Sequence, residues 1–193
     1  MYTITRQIGI DMGHRVPTHG SKCKNMHGHR YTVEATCMTQ ELIGEGVQTG
    51  MVLDFGFLKE EMMANIDHPC DHGTVFWIKD GMLQSLGIDI SEGGQAYKDI
   101  EHQGFRGPTT EVPGWKLYIV PFIPTAENLA KHWFQRLAPR VKILSKDLAE
   151  LLEVKVWETP NCIAVYNILN KIVIEAAKEG AIEGVRAAER LGR

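Results

Sequence analysis

Three histidines near the start of the chain have the spacing of metal ligands. His27 and His29 flank Gly28 in a stretch predicted to be a β-strand, so their rings point to one face a few ångströms apart, with Gly28 leaving space between them. His14 ends the preceding predicted strand and can lie across from them in an antiparallel pair. Three imidazoles with an open fourth position form the pattern of a catalytic zinc site, and imidazole also suits iron, nickel and copper. The alternative is a solvated or hydrogen-bonded histidine pair on a strand.

A cysteine precedes this histidine pair. Cys23 lies four residues before His27 in a polar loop, with a lysine on either side, and neighbouring cations favour a thiolate. Cys23 is therefore a candidate base or nucleophile, the alternative being a surface thiol without a role. Cys37 and Cys162 lie in apolar runs and are assigned to packing. The four cysteines form no C-x-x-C pair, so the sequence predicts neither a disulfide framework nor a cysteine zinc knuckle.

Carboxylates occur at two further places where they could do chemistry. Asp67-His68 and Asp71-His72 both follow the first predicted helix, and either pair could form a carboxylate–imidazole dyad that orients the ring. Glu158 continues the apolar face of a predicted strand. Because a buried carboxylate is costly unless it is paired, Glu158 needs either an arginine or lysine partner or a ligand rich in hydrogen-bond donors.

Periodicity places these residues on strands and helices. Tyr2–Ile10 and His27–Met38 alternate apolar and polar residues and are predicted as strands with one wet side. A short strand is predicted at Met51–Leu53. Asp54 can cap a helix that follows it, running through Ile66.

The second half of the chain repeats this order in reverse. Thr125–Leu137 is predicted as an amphipathic helix, and a closing hairpin combines the face of Leu152, Val154 and Val156 with the apolar run Cys162–Tyr166. The Gly- and Pro-rich stretch between the two halves is predicted as loops around short hairpins. We expect one α+β domain over residues 1–193, with a core at about 2–72 and 124–166, an insert at about 73–123 and a helical tail at about 167–193.

Composition bounds the class of protein. The chain has 193 residues, of which 44% are hydrophobic and 23% charged, and its formal net charge is −3. This slightly acidic balance offers no basic surface for nucleic acid. No stretch approaches the ~18 apolar residues of a membrane span, and the N-terminus lacks the regions of a signal peptide. We therefore expect a cytoplasmic globular protein with neither nucleic acid nor membrane as a partner.

Together, the motifs resemble the 6-pyruvoyl-tetrahydropterin synthase superfamily. Within it, the four-residue step from the cysteine to His-Gly-His is similar to the 6-carboxy-tetrahydropterin synthases of the queuosine pathway, since the pyruvoyl-forming enzymes place that cysteine two residues further away. The motifs that carry the resemblance are His14, Cys23-Lys24-Asn25-Met26-His27-Gly28-His29, Gly50-Met51-Val52-Leu53-Asp54-Phe55, Pro69-Cys70-Asp71-His72, Pro124-Thr125-Ala126-Glu127-Asn128 and Glu158-Thr159.

The resemblance implies a role for each candidate residue. It implies that zinc is held by His14, His27 and His29, that Cys23 is the general base, that Asp71 and His72 complete a proton relay, and that Glu158 anchors a pterin. The Asp71-His72 pair is preferred over Asp67-His68 because the preceding Pro-Cys and the distance from the helix start match the family pattern better. The basic residues near the motif that could meet a triphosphate are Arg15, Lys22, Lys24 and Arg30.

The implied reaction converts 7,8-dihydroneopterin triphosphate to 6-carboxy-5,6,7,8-tetrahydropterin, acetaldehyde and triphosphate, which is carbon–carbon lyase chemistry. Two alternatives are a related enzyme that makes 6-pyruvoyl-tetrahydropterin or a dihydropterin aldolase product, and a zinc- and pterin-binding protein without turnover. The implied architecture is the tunnelling fold, a four-stranded antiparallel sheet with two helices on one face. In that fold subunits close into a barrel, and we expect a homo-hexamer of two trimers with active sites between subunits.

Overall fold

The computed structural model describes residues 1–169, so the predicted helical tail lies outside the described residues from residue 170 onward. The strands are β1 (Tyr2–His14), β2 (His27–Thr39), β3 (Gly73–Trp77), β4 (Arg106–Thr109), β5 (Leu117–Val120), β6 (Glu150–Thr159) and β7 (Cys162–Asn167). The helices are α1 (Phe55–Met62), α2 (His68–Cys70), α3 (Gly81–Ser85), α4 (Gln95–Gln103) and α5 (Ala126–Leu144), with a π turn at Met63–Asp67 and a 3₁₀ turn at Lys22–Lys24. None of the helices within residues 1–169 is long and apolar enough to cross a membrane.

All seven strands belong to one sheet, in the order β4-β5-β3-β1-β2-β6-β7. The α+β class is confirmed, and β1, β2, β6 and β7 form the predicted antiparallel set. The prediction of only four strands is wrong, because residues 73–123 add three more and make the sheet mixed. β3 runs parallel to β1 but pairs with it only over Met12–His14, and β5 runs parallel to β3.

The added strands escaped prediction because they do not alternate. All four residues of β5 are buried, as are three consecutive residues of β3. A strand covered on both faces is a short continuous apolar run, which periodicity cannot distinguish from other buried segments. Residues 73–123 are therefore more than loops around hairpins, and they enclose an apolar cluster of their own formed mainly by Phe76, Ile78, Leu83, Ile88, Tyr97, Ile100, Leu117 and Ile119.

Alternation does hold along the central strands. On β2, Tyr31, Val33, Ala35 and Cys37 share one face and are fully buried. On β6 the prediction needs a correction, because a bulge shifts the pairing from Thr36↔Glu153 to Cys37↔Leu151. An extra residue at a bulge moves the following side chains to the other face. Leu151 rather than Leu152 therefore packs in the core, beside Val154 and Val156.

Both long helices lie on this buried face and begin at predicted caps. The Asp54 carboxylate accepts a hydrogen bond from the Gly56 backbone N–H at 2.6 Å, and the Thr125 hydroxyl accepts one from the Asn128 N–H at 3.4 Å. Residues 51–53 are not a strand as predicted, although Val52 and Leu53 are buried.

Helix α5 is longer than predicted. It continues past Leu137 to Leu144 and contains Pro139. A proline removes one helical hydrogen bond, but Val141 beyond it is fully buried in the main core. Packing of the next turn therefore extends the helix where local propensity predicts its end.

Candidate active site

Pairing of β1 with β2 brings the three predicted metal ligands together. His14 lies opposite His27 in the antiparallel register, and His29 lies opposite Met12. The ring centroids are 4.5 Å apart for His14 and His27, 5.4 Å for His14 and His29, and 5.1 Å for His27 and His29. One ring nitrogen of each lies within 4.8 Å of the other two. This is the convergence that the strand spacing predicts.

Backbone carbonyls determine which nitrogen of two of these rings is available. His14 Nδ1 donates a hydrogen bond to the Pro124 carbonyl oxygen at 2.7 Å, and His27 Nδ1 donates to the Asn25 carbonyl at 2.8 Å. A carbonyl can only accept, so Nδ1 carries the proton and Nε2 keeps its lone pair. Outer hydrogen bonds of this kind orient metal-binding histidines.

Two buried ring nitrogens have no hydrogen-bond partner among the described residues. Nε2 of His14 and Nε2 of His29 are buried and have no hydrogen bond within the described residues. Buried polar atoms normally have a partner, and a cation at the centre of the cluster would supply one to both. The donor set of three imidazoles therefore fits a zinc ion with an open coordination position.

The protonation of the cluster also suits a metal. Burial lowers the pKa of His14, outweighing the opposite effect of its hydrogen bond to Pro124. Burial likewise lowers the pKa of His29, against the attraction of the Glu158 carboxylate. Both rings are therefore neutral at neutral pH, which is the form that binds metal without first releasing a proton.

Gly28 serves the site in a different way from the one predicted. It sits on the opposite face from the two rings, where a Cβ atom would lie 3.0 Å from the Met12 carbonyl oxygen. The glycine is needed for the close approach of β1 to β2, and leaves no extra room between the imidazoles.

Glu158, at the end of β6, faces the same cluster. Its Oε1 lies 3.4 Å from His14 Nε2 and 3.7 Å from His29 Nε2. It also accepts a hydrogen bond from the Tyr31 hydroxyl at 3.3 Å. Within residues 1–169, no lysine or arginine forms an ion pair with Glu158, so the structure does not support the alternative of a simple ion pair. Tyr31 was not predicted, although it continues the strand face of His27 and His29.

Cys23 is brought to this cluster by the loop that joins β1 to β2. The Val16 backbone N–H donates to the Cys23 carbonyl at 2.8 Å, which folds the loop back on itself. Cys23, His14, His27 and Glu158 then line one cavity of about 210 Å³. Its other walls, which the sequence did not predict, come from the loop, the start of α5 and the start of β7: Val16, His19, Thr125, Ala126, Glu127, Cys162, Ile163 and Ala164.

The two cysteines that were assigned to packing, Cys37 and Cys162, differ in burial. Cys37 is buried as predicted, but Cys162 is exposed and lines the cavity, so its assignment to packing is wrong. Cys162 begins β7 directly after a turn, where an apolar run has one face open to solvent.

The Asp71-His72 dyad forms, but away from this cavity. His72 Nδ1 lies 2.7 Å from Asp71 Oδ2, and Asp71 Oδ1 accepts from the Asp11 backbone N–H at 2.8 Å. The Asp71 pKa is lowered: burial raises it, but the hydrogen bonds from Asp11 and His72 outweigh burial. The Asp67-His68 pair has no hydrogen bond between its side chains among those of residues 1–169, which favours Asp71-His72 as the dyad.

Within one chain the dyad does not join the three histidines. It contacts β1 at Asp11, three residues before His14, and neither member lines the cavity. His72 is 78% exposed and adopts a left-handed backbone conformation with φ of 53°. Its imidazole is therefore presented outward, toward solvent or a second molecule.

Of the four basic residues predicted to lie near a triphosphate, the two arginines form ion pairs with other side chains. Arg15 Nε lies 2.9 Å from the buried carboxylate of Asp80, and Arg30 forms an ion pair with Asp11. The two lysines beside Cys23 are exposed. No lysine or arginine of the described chain lines the cavity.

A family model described as 6-pyruvoyl tetrahydropterin synthase matches residues 3–168. The chain belongs to the 6-pyruvoyl tetrahydropterin synthase family. Members of this family named 6-carboxy-5,6,7,8-tetrahydropterin synthase are similar over most of the chain. That of Rickettsia conorii is 32% identical over 162 residues, covering 84% of this chain and 97% of the relative. That of Haemophilus influenzae is 26% identical over 166 residues, covering 86% and 99%. These names indicate a tetrahydropterin synthase-type lyase.

Solved structures share the fold of this chain. An uncharacterized protein from Wolinella succinogenes superposes with a TM-score of 0.65 at 22% identity, covering 86% of this chain and 98% of its own. The 6-pyruvoyl tetrahydropterin synthase of Plasmodium vivax gives a TM-score of 0.52 at 15% identity, covering 87% and 100%. At these identities the likeness establishes the fold alone.

The histidine cluster generates a prediction about metal binding. Replacing His27 by Ala removes one of three converging nitrogens, and we expect the zinc affinity to fall more than about 100-fold, since even outer-shell changes cost up to that much. His68→Ala, which removes an exposed histidine outside the cluster, should leave the affinity unchanged. Competition with a chromogenic zinc chelator measures both variants. Equal affinities for His27→Ala and the wild type would contradict the assignment.

Proposed function

We propose that the chain is a zinc-dependent 6-carboxy-5,6,7,8-tetrahydropterin synthase. It would convert 7,8-dihydroneopterin triphosphate and one water molecule to 6-carboxy-tetrahydropterin, acetaldehyde and triphosphate, a step of queuosine and other 7-deazaguanine biosynthesis. The observation that carries the proposal is the cavity lined by His14 and His27 of the histidine cluster together with Cys23 and Glu158. Relatives that bear this name, at 26% to 33% identity, support it.

Glu158 is the group that would recognise the pterin. A pterin ring presents an amino group and a ring N–H side by side, and one carboxylate can accept both as a bidentate pair. The Tyr31 hydroxyl, fully buried and donating to Oε1, limits the rotation of this carboxylate. Glu158 would thus provide both affinity and orientation, with the side chain of the substrate turned toward the three histidines.

His14, His27 and His29 would hold the zinc ion. When bound there, zinc would acidify the hydroxyls of the substrate's side chain and stabilise the oxyanions that develop on them. The neutral state of His14 and His29 and the fixed Nδ1 hydrogen bonds prepare the cluster for this role.

Cys23 would move protons between the pterin ring and its side chain. Cys23 lines the same cavity as His27, where an acid–base group can reach a bound substrate. His72, oriented by Asp71, would be its acid–base partner. Triphosphate leaves first, and the side chain then breaks between two carbons to release acetaldehyde.

The position of the dyad supports an active site shared between subunits. Because neither Asp71 nor His72 lines the cavity of its own chain, a neighbouring subunit would supply them. Open sheet edges are available for such an assembly. On its outer side β1 pairs with β3 only at residues 12–14, and β7 pairs only with β6 among the described strands. Joining open edges between subunits removes an aggregation hazard and closes a barrel. We infer a homo-hexamer of two trimers.

Two observations favour this reaction over the formation of 6-pyruvoyl-tetrahydropterin. The step from Cys23 to His27 is four residues, which is the spacing of the carboxy-forming branch. The relatives at 32% and 26% identity also carry the carboxy name. A role in pterin binding alone would leave the placement of Cys23 in the cavity without a function.

Cys23→Ala tests the reaction and the role of the thiol together. The zinc-loaded wild type should release 6-carboxy-tetrahydropterin and acetaldehyde from 7,8-dihydroneopterin triphosphate, as measured by mass spectrometry. We expect the variant to lose at least about 100-fold in rate, the usual contribution of a positioned acid–base group, while zinc content stays unchanged. A pyruvoyl product would reassign the enzyme to the sister reaction. Pterin binding without turnover in the wild type would favour the binding protein.

Mixing inactive subunits tests the shared site. Cys23→Ala and His72→Ala chains should each be inactive alone, and activity should return when they are combined under conditions of subunit exchange. Some sites would then contain an intact Cys23 from one chain and an intact His72 from another. If hybrids form, as shown by co-purification of differently tagged chains, and remain inactive, the dyad does not act across the interface.

A further inference from the structure

The cavity poses an electrostatic problem for a triphosphate ester. Its walls carry the carboxylates of Glu127 and Glu158, and in the described residues no lysine or arginine lines it. Arg15 and Arg30, two nearby cations, are paired with Asp80 and Asp11. A triphosphate presents several negative charges and only hydrogen-bond acceptors near its esterified end, so the cavity needs a donor besides the metal cluster.

Outside the histidine cluster, His19 is the cavity-lining side chain with a nitrogen donor; the other lining side chains with a hydrogen to donate are the Thr125 hydroxyl and the Cys23 and Cys162 thiols. It lies on the loop between β1 and β2, where its backbone N–H donates to the Val16 carbonyl at 2.9 Å. The Val16 N–H in turn donates to the Cys23 carbonyl. His19 and Cys23 are therefore linked through one short backbone turn.

A hydrogen bond within the loop determines what His19 offers to a ligand. Its Nδ1 accepts from the Ser21 backbone N–H at 3.0 Å. With Nδ1 occupied as an acceptor, the proton of the neutral ring lies on Nε2, and a protonated ring would lose the bond to Ser21. The free nitrogen is therefore a donor, which suits a ligand atom that only accepts, and it does not suit a base that must take a proton there.

We propose that His19 donates a hydrogen bond through Nε2 to a phosphate oxygen of the substrate and so selects the triphosphate ester over the free pterin alcohol. This inference rests on the proposed function and adds a specificity residue to it. Glu158, which offers acceptors, meets the donor edge of the pterin. His19, which offers a donor, meets the acceptor-only phosphates.

Two substitutions of His19 separate this donor from the shape of the loop. Both His19→Gln and His19→Leu remove the imidazole Nδ1 that accepts from the Ser21 N–H. Because the Gln amide oxygen can accept in its place, binding of the phosphate-free pterin reports any disturbance of the loop in either variant. Gln keeps an N–H donor at a similar distance from the backbone, whereas Leu has none. His102→Leu, at an exposed histidine of α4, controls for a general effect of losing an imidazole.

Dissociation constants would be measured by calorimetry in the zinc-loaded, full-length Cys23→Ala background, with 7,8-dihydroneopterin and its triphosphate as probes. For His19→Leu we expect the triphosphate ester to bind about tenfold more weakly, the effect of one hydrogen bond to a charged group, and the phosphate-free pterin to bind unchanged. His19→Gln should recover most of the loss, and His102→Leu should bind both probes like the background protein.

Equal weakening of both probes, no weakening, or equal losses for Gln and Leu would overturn the role of His19. These results differ from failure of the proposed function, in which the background protein with an intact His19 would bind neither probe.

Discussion

The antiparallel register of β1 and β2 is the constraint on which the rest of the structure depends. It places His14 opposite His27 at the end of the strand pair. The same face of β2 continues through Tyr31, Val33 and Ala35, all fully buried. Because side chains alternate along a strand, a slip of one residue would turn the histidines away from each other and expose the core residues together. Packing of the hydrophobic core therefore maintains the geometry of the histidine cluster.

Neighbouring segments then refine what the register brings together. The Pro124 carbonyl, just before α5, orients His14, and the Asn25 carbonyl orients His27. The buried Tyr31 hydroxyl holds Glu158 beside the same rings. Pro124 and Tyr31 are buried, so their contacts with His14 and Glu158 are preorganised before any ligand binds.

Periodicity and local chemistry predicted much of this arrangement. Alternation identified β1 and β2, and the spacing of His27 and His29 on one face predicted the cluster. Capping residues predicted the starts of both long helices. These features depend on neighbours in sequence, which is why one sequence is enough to find them. The roles of Cys23 and of the dyad came from the family resemblance.

The parts that were not predicted depend on tertiary context. Two of the strands of residues 73–123, β3 and β5, are covered on both faces and so show no alternation. Because of the bulge in β6, Leu151 rather than Leu152 packs in the core. This bulge arises from pairing with β2 and cannot be recognised from the local sequence. His19 lies in a loop whose residues show no apolar–polar periodicity. Its proposed role depends on which groups surround the cavity. The position of His72 depends on the contact of Asp71 with the Asp11 backbone of β1, a pairing distant in sequence that no local pattern marks.

X-ray absorption spectroscopy at the zinc edge can determine whether three imidazoles hold the metal while Cys23 remains free to carry protons. For the zinc-loaded full-length chain, we expect three imidazole nitrogens at about 2.0–2.1 Å and no sulfur in the first coordination shell. A shell with fewer than three imidazoles, or one containing a sulfur at about 2.3 Å, would contradict this expectation.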